Sequence, residues 1–358
     1  MKRIQLGNTV FEGENDAYLI EADRTTLVDT AVSIPAVRAD LREGLSGHGV
    51  DFADVDAIVL THWHPDHAGL AGEIQAEGGA SVYVHEADAP LVDGRERPLA
   101  ADPAVRREMF DRWGMPAEAR ERLTDFFERA GTDIYGREAD VTPIGDGETI
   151  DLGGVTLETV HLPGHTAGLC AFAFDPRTVP GHAPVRGSGE GGTAGASARD
   201  DRPPAEAFTG DALLPRYTPN VGGADVRVET PLAAYADSLV RIVERDWDAA
   251  HPGHRERIDE PSRRAAEILD HHRDRTRRVI GVLESGPATA WEVSAALFGD
   301  LEGIHTLHGP GEAFAHLDHL ERAGVLERDG TAYRLVDPDP SVDALFPSVA
   351  LDATGRDL

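Results

Sequence analysis

The sequence predicts an α/β fold followed by a smaller α+β unit, and three observations carry the prediction. Short apolar runs of strand length recur between helical stretches as far as residue 284. The histidines and aspartates that could do chemistry stand at the ends of those runs, beside glycine or proline. Past residue 284 the order changes to short helical runs and then strand-like segments about a polar turn.

Taken in order, Ala17–Glu21 and Thr26–Asp29 read as strands, Pro35–Leu45 as a helix and Ala57–Leu60 as a buried strand. A charged helical block follows Ala68, and Ser81–His85 is a short strand. From Pro103 to Ala130 the pattern is helical, with Met109, Phe110, Trp113, Leu123, Phe126 and Phe127 at its apolar positions. Strand signals return at Thr142–Ile144, Val155–His161 and Leu169–Phe174. Residues 176–204 are rich in Gly, Pro, Ser and Ala, with Val179 and Val185 as their large apolar residues. Burial that small does not offset ordering entropy, so a disordered insertion is expected there.

Order resumes at Ala207–Thr209, then a helix over Leu232–Arg245, a strand near Trp247–Ala250 and a long Arg-rich helix over Glu260–Glu284. Helical runs at Arg277–Leu283, Trp291–Leu297 and Ala313–Ala323 precede Val325-Leu326, the turn Arg328-Asp329-Gly330 and the strand Tyr333–Val336. Three helices and a hairpin are the element order of a winged helix, with Leu317, Leu320, Val325 and Leu326 in its core. The expected organisation is a body over 1–272, a winged-helix-like unit over 273–336 and a tail over 337–358.

Composition narrows the function classes. Lys and Arg number 34 against 64 Asp and Glu, a formal net charge of −30, and Lys2 is the sole lysine. Hydrophobic residues at 41% supply a sizeable core. No apolar run approaches the ~20 residues of a bilayer span, and the start lacks a secretory apolar stretch, so a cytoplasmic protein is expected. Cys170 is the single cysteine, which excludes disulfide frameworks, thiolate zinc fingers and iron–sulfur clusters. Any metal must then be held by His and carboxylate. An acidic surface of this size repels phosphate polyanions and suits a salt-rich, halophilic cytoplasm, where the Debye length falls to ~3 Å at 1 M salt.

The densest chemistry is Thr61-His62-Trp63-His64-Pro65-Asp66-His67, directly after a buried strand. Three histidines and an aspartate at this spacing cannot share one strand face, so a strand-end loop must fan them about a common point. Imidazole and carboxylate suit Zn²⁺, Mn²⁺ or Fe²⁺. His165 in Leu162-Pro163-Gly164-His165-Thr166, Asp211 in Thr209-Gly210-Asp211 and His254 in His251-Pro252-Gly253-His254 repeat the strand-end placement.

This set, beginning with Asp29 in Leu27-Val28-Asp29-Thr30, resembles the metallo-β-lactamase superfamily over about residues 10–257. The resemblance implies an αββα sandwich with a dinuclear site. By it His62, His64 and His165 bind one ion, Asp66, His67 and His254 the other, Asp211 bridges, and Asp29 orients the His loop. Two ions, most simply Zn²⁺, would make a shared water a hydroxide nucleophile, with Asp66 and Asp211 catalytic. True β-lactamases of the superfamily do not use Asp at the bridging position, so Asp211 implies another substrate.

The helical block over 103–130 and the C-terminal unit look like the β-lactamase-like-protein-2 group, whose members include a single-strand-specific endoribonuclease. The implied substrates are single-stranded RNA or another phosphodiester, or else a small ester, a thioester as in glyoxalase II, or a lactone. A non-catalytic binding or regulatory protein is the remaining class, and the intact ligand set argues against it. Residues 273–336 carry seven Arg against ten Asp and Glu, which disfavours duplex DNA and leaves packing or homodimerisation for the unit. Arg216, Tyr217 and Asn220 are candidate substrate contacts on the loop after Asp211. Arg255 is another, standing where the family usually has glycine.

Overall fold

The computed structural model describes residues 1–7, 13–131, 133–183 and 203–349. Its first half runs β1 (Lys2–Leu6), β2 (Asn15–Glu21), β3 (Thr25–Val28), α1 (Pro35–Ser46), β4 (Ala57–Val59), α2 (Pro65–Ala68), α3 (Ala71–Gly78), β5 (Ser81–His85), α4 (Ala89–Val92), α5 (Pro103–Arg112), α6 (Ala117–Ala130) and β6 (Val141–Ile144). These strands form a six-stranded sheet in chain order. It is antiparallel from β1 to β3 and parallel from β3 to β6. Next come β7 (Thr149–Asp151), β8 (Thr156–His161), β9 (Cys170–Phe174), β10 (Glu206–Gly210), α7 (Pro231–Arg245), β11 (Ala249–Pro252) and α8 (Pro261–Leu283). The second sheet has five strands in the order β11-β10-β9-β8-β7. Its one parallel pair is β10 with β11.

Side-chain alternation along the strands produces the layers. Tyr18 and Ile20 of β2 join Phe172, Phe174 and Phe208 in the cluster between the sheets. Ala17 and Leu19 point the other way, into a cluster shared with Leu41 and Leu45 of α1 and Ile74 of α3. On the second sheet, Val160, Ala171 and Ala207 pack outward against Tyr235 and Leu239 of α7 and Ile268 of α8. The order is helix, sheet, sheet, helix, the αββα sandwich expected.

Beyond the sandwich lie β12 (Ala288–Thr289), α9 (Ala290–Phe298), α10 (His305–Arg322), β13 (Leu326–Asp329) and β14 (Ala332–Leu335), with a three-stranded sheet in the order β12-β14-β13. The boundary expected after residue 272 falls inside α8, which is continuous there. Its Val279, Ile280 and Leu283 share one cluster with Leu317, Val325 and Tyr333, so apolar packing continues from the sandwich into this unit.

Several elements differ from the sequence reading. The helical stretch 103–130 is two helices, because Pro116 restricts the residue before it and opens α6. Helix α10 begins at His305 rather than Ala313 and carries Pro310 inside it, a breaker overridden by burial on nearly every side. The edge strands β1 and β7 were not expected, since their polar residues hide the apolar alternation. Of the expected insertion, residues 176–183 are ordered: Val179 is buried and His182 Nε2 lies 2.8 Å from Glu206 Oε2. Residues 184–202 lie outside the described residues. Much of the expected tail also packs. Phe346 is buried with its ring 5.0 Å from that of His319, whose Nε2 donates to Leu345 O at 2.9 Å. No helix among the described residues is long and apolar enough to cross a membrane.

Candidate metal centre

The ends of β3, β4, β8, β10 and β11 deliver the site to one edge of the sandwich. Asp29 directly follows β3 at φ 57°, and its N–H donates to Val59 O at 3.0 Å. Its carboxylate accepts from Thr61 N at 2.7 Å and Thr61 Oγ1 at 2.8 Å, which fixes the turn out of β4. That turn presents His62 and His64, and Pro65 opens α2, which carries Asp66 and His67. His165, Asp211 and His254 follow β8, β10 and β11 in the same manner. Gly253 makes room: a Cβ there would lie 2.4 Å from His67 Cε1 and 2.8 Å from Asp211 Oδ1.

All seven expected ligands come together, buried or nearly so. His62 Nε2 and His165 Nε2 each lie 3.0 Å from His64 Nδ1, and Asp211 Oδ2 is 3.6 Å from His165 Nε2. Beside them, Asp66 Oδ2 lies 3.5 Å from His254 Nε2 and 3.8 Å from His67 Nε2. Asp211 reaches this second group too, with Oδ1 3.5 Å from His67 Nε2 and Oδ2 3.6 Å from His254 Nε2.

The outer ring nitrogens decide what this convergence can do. His165 Nδ1 donates to Asn220 O at 2.8 Å, His64 Nε2 to Ala224 O at 3.2 Å and His254 Nδ1 to Glu14 O at 3.1 Å. His67 Nδ1 donates to Asp29 Oδ2 at 2.9 Å. His62 Nδ1 donates to Thr61 Oγ1 at 3.0 Å, since that hydroxyl's own proton is spent on Asp29. Each acceptor fixes a tautomer whose other nitrogen turns a lone pair inward. His67 Nε2 and Asp211 Oδ1 are buried with no hydrogen-bond partner at all. Such orphans cost about 1–3 kcal/mol each, and a divalent cation satisfies them. The donor set therefore fits metal.

Electrostatics agree with that donor set. Burial, and then neighbouring imidazoles, hold His62 and His64 well below the usual histidine range, which keeps them neutral. Burial acts against ionisation of Asp211 as well, yet His254 and His67 hold its carboxyl well below the ordinary value. Neutral His62 and His64 therefore stand beside an ionised Asp211, whose charge overcomes burial to raise His67 well above the usual histidine range and His254 to about 9, so these two rings hold protons that a metal ion would displace.

The structure treats the other expected site residues differently. Asp29 touches His67 and Thr61 as described. Asn220 lines the cleft, but its amide is engaged by His308 O at 3.0 Å, Glu312 Oε2 at 3.2 Å and Gly223 N at 3.1 Å, so it serves the loop. Arg216 pairs with exposed Glu256 at 2.8 Å. Arg255 sits at φ 68°, the left-handed region that favours glycine, and its guanidinium lies 4.9 Å from the exposed Tyr217 ring. None of Arg216, Tyr217 and Arg255 lines the cavity at the ligands. The cluster Arg273, Arg275, Arg277 and Arg278 offers no phosphate track, because the first three pair with Asp270, Glu312 and both Asp274 and Asp343, and Arg278 donates to Leu297 O.

Sequence reasoning missed several supports. Asn15 Nδ2 donates to Asp66 Oδ2 at 3.2 Å, and Asn15 bridges to His254 through its backbone. Asp88 is buried and accepts from Trp63 N at 3.2 Å and Thr166 Oγ1 at 2.9 Å, joining two ligand loops. Asp225 Oδ2 accepts from Ala167 N at 3.0 Å. No spacing rule separates such residues from ordinary turn polarity, and only the strand-end position of Asn15 was available as a signal.

A cavity of about 120 Å³ opens against His64, Asp66, His165 and Asp211. Leu99, Phe126, Phe127, Ile134, Ile304 and Leu307 form its apolar wall, with Tyr135 and His308 as polar groups. Among the described residues no lysine or arginine lines it.

Comparison with known proteins agrees with this geometry. Residues 10–179 match the Metallo-beta-lactamase superfamily. The chain is 26% identical over 311 residues to the probable metallo-hydrolase YqjP of Bacillus subtilis, covering 86% of this chain and 88% of that one. It is 22% identical to the Beta-lactamase-like protein 2 homolog of Drosophila melanogaster, covering 75% of this chain and 68% of that protein. The crystal structure of a metallo-beta-lactamase family protein from Thermus thermophilus superposes with a TM-score of 0.72 at 27% identity, covering 93% of this chain and 98% of that one. With the sandwich, the His and Asp clusters and these relatives in agreement, the chain carries a metallo-beta-lactamase superfamily domain of the metallo-hydrolase kind.

Proposed function

We propose that the protein is a two-metal hydrolase of carboxylic esters, thioesters or lactones bearing a compact apolar acyl or aryl group. The apolar cavity beside the ligands carries this reading: leucine, isoleucine and phenylalanine walls reward an apolar group and offer no cation to a phosphate. His62, His64 and His165 would hold one ion, Asp66, His67 and His254 the other, and Asp211 both. When bound, the ions supply Lewis acidity toward water and toward the carbonyl being cleaved. Asp66, its Oδ2 held by Asn15 Nδ2, is placed to take the proton released by the attacking water. Zinc is the proposed ion, because imidazole dominates the set, although Mn²⁺ or Fe²⁺ satisfies the same donors.

Single-stranded RNA, the other substrate implied by the family resemblance, finds no basic cavity wall among the described residues, and the cluster Arg273, Arg275, Arg277 and Arg278 is already engaged within the protein. The acidic surface favours a salt-rich cytoplasm, and the C-terminal unit, winged-helix-like in element order, acts in packing or dimerisation rather than on duplex DNA.

The test is an assay of zinc- or manganese-loaded protein in about 3 M KCl. Its substrates are butyryl and benzoyl p-nitrophenyl esters, the matching N-acetylcysteamine thioesters, S-lactoylglutathione, a homoserine lactone, a β-lactam, bis-p-nitrophenyl phosphate and single-stranded RNA. An apolar ester or thioester is expected to lead the phosphodiesters in kcat/KM by roughly 100-fold. Faster cleavage of RNA or phosphodiester overturns the reading, as does metal analysis returning fewer than about one ion per chain.

A further inference from the structure

We infer that Glu312, on α10 of the C-terminal unit, is a positioning residue for the ion assigned to His62, His64 and His165, acting through the loop 220–224. The inference rests on the metal-centre reading above. Two of those three histidines have their tautomer set by this one loop, since His165 Nδ1 donates to Asn220 O at 2.8 Å and His64 Nε2 to Ala224 O at 3.2 Å. Glu312 Oε2 in turn accepts from Asn220 Nδ2 at 3.2 Å and from Val221 N at 3.1 Å. Its other oxygen is taken by Arg275 Nη1 of α8.

The carboxylate is 4% exposed and remains ionised. Burial works against its charge, but Arg275 together with His316 and His272 outweighs burial and holds the carboxyl well below the usual range. His272 Nδ1 and His316 Nε2 lie 3.8 Å from Glu312 Oε1, yet a cation there would meet the Arg275 guanidinium on the same oxygen. The cluster is therefore an anchor for the loop and not another metal site.

Backbone packing shows independently that loop and helix are fitted to each other. A Cβ on Gly311 of α10 would lie 2.2 Å from Gly223 Cα, and one on Gly223 would lie 2.9 Å from His308 Cα. Contact this close leaves the loop little freedom normal to the helix. A shift of Asn220 would turn the His165 ring or break its outer hydrogen bond, and the ligand geometry would change with it.

The experiment titrates cobalt(II) into metal-free full-length protein and follows the visible d–d bands and the affinity. Glu312→Ala is expected to change the spectrum and weaken the affected site by about 10–100-fold. Glu312→Gln, whose amide oxygen can still accept from the loop while its NH2 meets Arg275, is expected to lower the melting temperature but to keep cobalt affinity within about threefold of wild type. Leu320→Ala, an apolar truncation on the same helix, is expected to lower the melting temperature without changing the cobalt spectrum. In metal-free protein, Glu312→Ala should also speed exchange of the His165 Nδ1 proton. Asn220→Ala keeps the Arg275–Glu312 pair and must reproduce the spectral change, which decides the matter if Glu312→Ala does not fold. A wild-type spectrum in Glu312→Ala or Asn220→Ala overturns the inference, and so does an equal loss in Leu320→Ala or in Glu312→Gln. Wild-type protein that binds no cobalt would instead refute the metal-centre reading itself.

Discussion

Asp29 illustrates how much one side chain does at this site, since a single carboxylate receives His67 Nδ1, Thr61 N and Thr61 Oγ1. Its positive φ is tolerated better by Asp or Asn than by most residues. Asp29→Asn should therefore fold, lose the anionic acceptor behind His67, and bind metal about 10–100-fold more weakly at the site containing His67. Chelator competition measures this, and wild-type affinity would refute the orienting role. The converging His and Asp residues were legible because metal chemistry demands rare residue types at strand ends. Asn15, Asp88 and Glu312 were not legible, because their roles depend on which loops meet in space. For Arg216, Tyr217 and Arg255 the residue types suggested anion binding, but geometry places their side chains among surface partners.

Elements were read best where β-branched residues alternate along a strand. Ser81–His85 matched residue for residue, while the polar edge strands β1 and β7 left no such trace. Helix α10 was shortened at its glycines and proline because local propensity ignores the packing that holds the helix together. That helix also shapes the cavity. Leu307→Ala removes buried wall volume, so it should cost about 2–5 kcal/mol of stability and shift acyl-chain preference toward longer groups by roughly tenfold. Thermal melts and a chain-length series of esters check both.

Another joint between elements gives a pH signature. Glu206 of β10 accepts His251 Nε2 at 2.7 Å and His182 Nε2 at 2.8 Å. Burial opposes its charge, but these partners bring its pKa down to about 2. The folded value lies below the unfolded one of ~4.3, so the contribution is complete above ~4.3 and is lost as pH falls toward about 2. Melts of wild type and Glu206→Gln should differ fully above about pH 4.3 and converge as pH falls toward about 2; a difference that persists unchanged into that acid range would refute the assignment.

Across the whole molecule, the net charge of −30 opposes compaction wherever it is unscreened. The melting temperature is therefore expected to rise by roughly 10 °C or more between about 0.1 M and 3 M KCl, beyond the shift in an uncharged control protein. A flat curve would sink the halophile reading. The same field excludes long-range attraction of anionic substrates, and a neutral apolar acyl group incurs no such penalty on approach. The overall class was legible because αββα layering follows from two-faced apolar strands. The continuity of the C-terminal unit with the body was not, because a helix boundary and a domain boundary look alike in one dimension.

Helix α8 crosses from body to C-terminal unit in one piece, which makes the two units mechanically phased. Inserting one residue near Arg277 would rotate everything beyond it by about 100° and advance it about 1.5 Å, swinging α10 away from the loop it grips. A one-residue insertion there should thus impair metal uptake more than an insertion in the turn at Asp329-Gly330, as cobalt titration of both variants would reveal. Recombination that exchanges C-terminal units among relatives has to conserve helical phase, a constraint stricter than conserving either unit's fold.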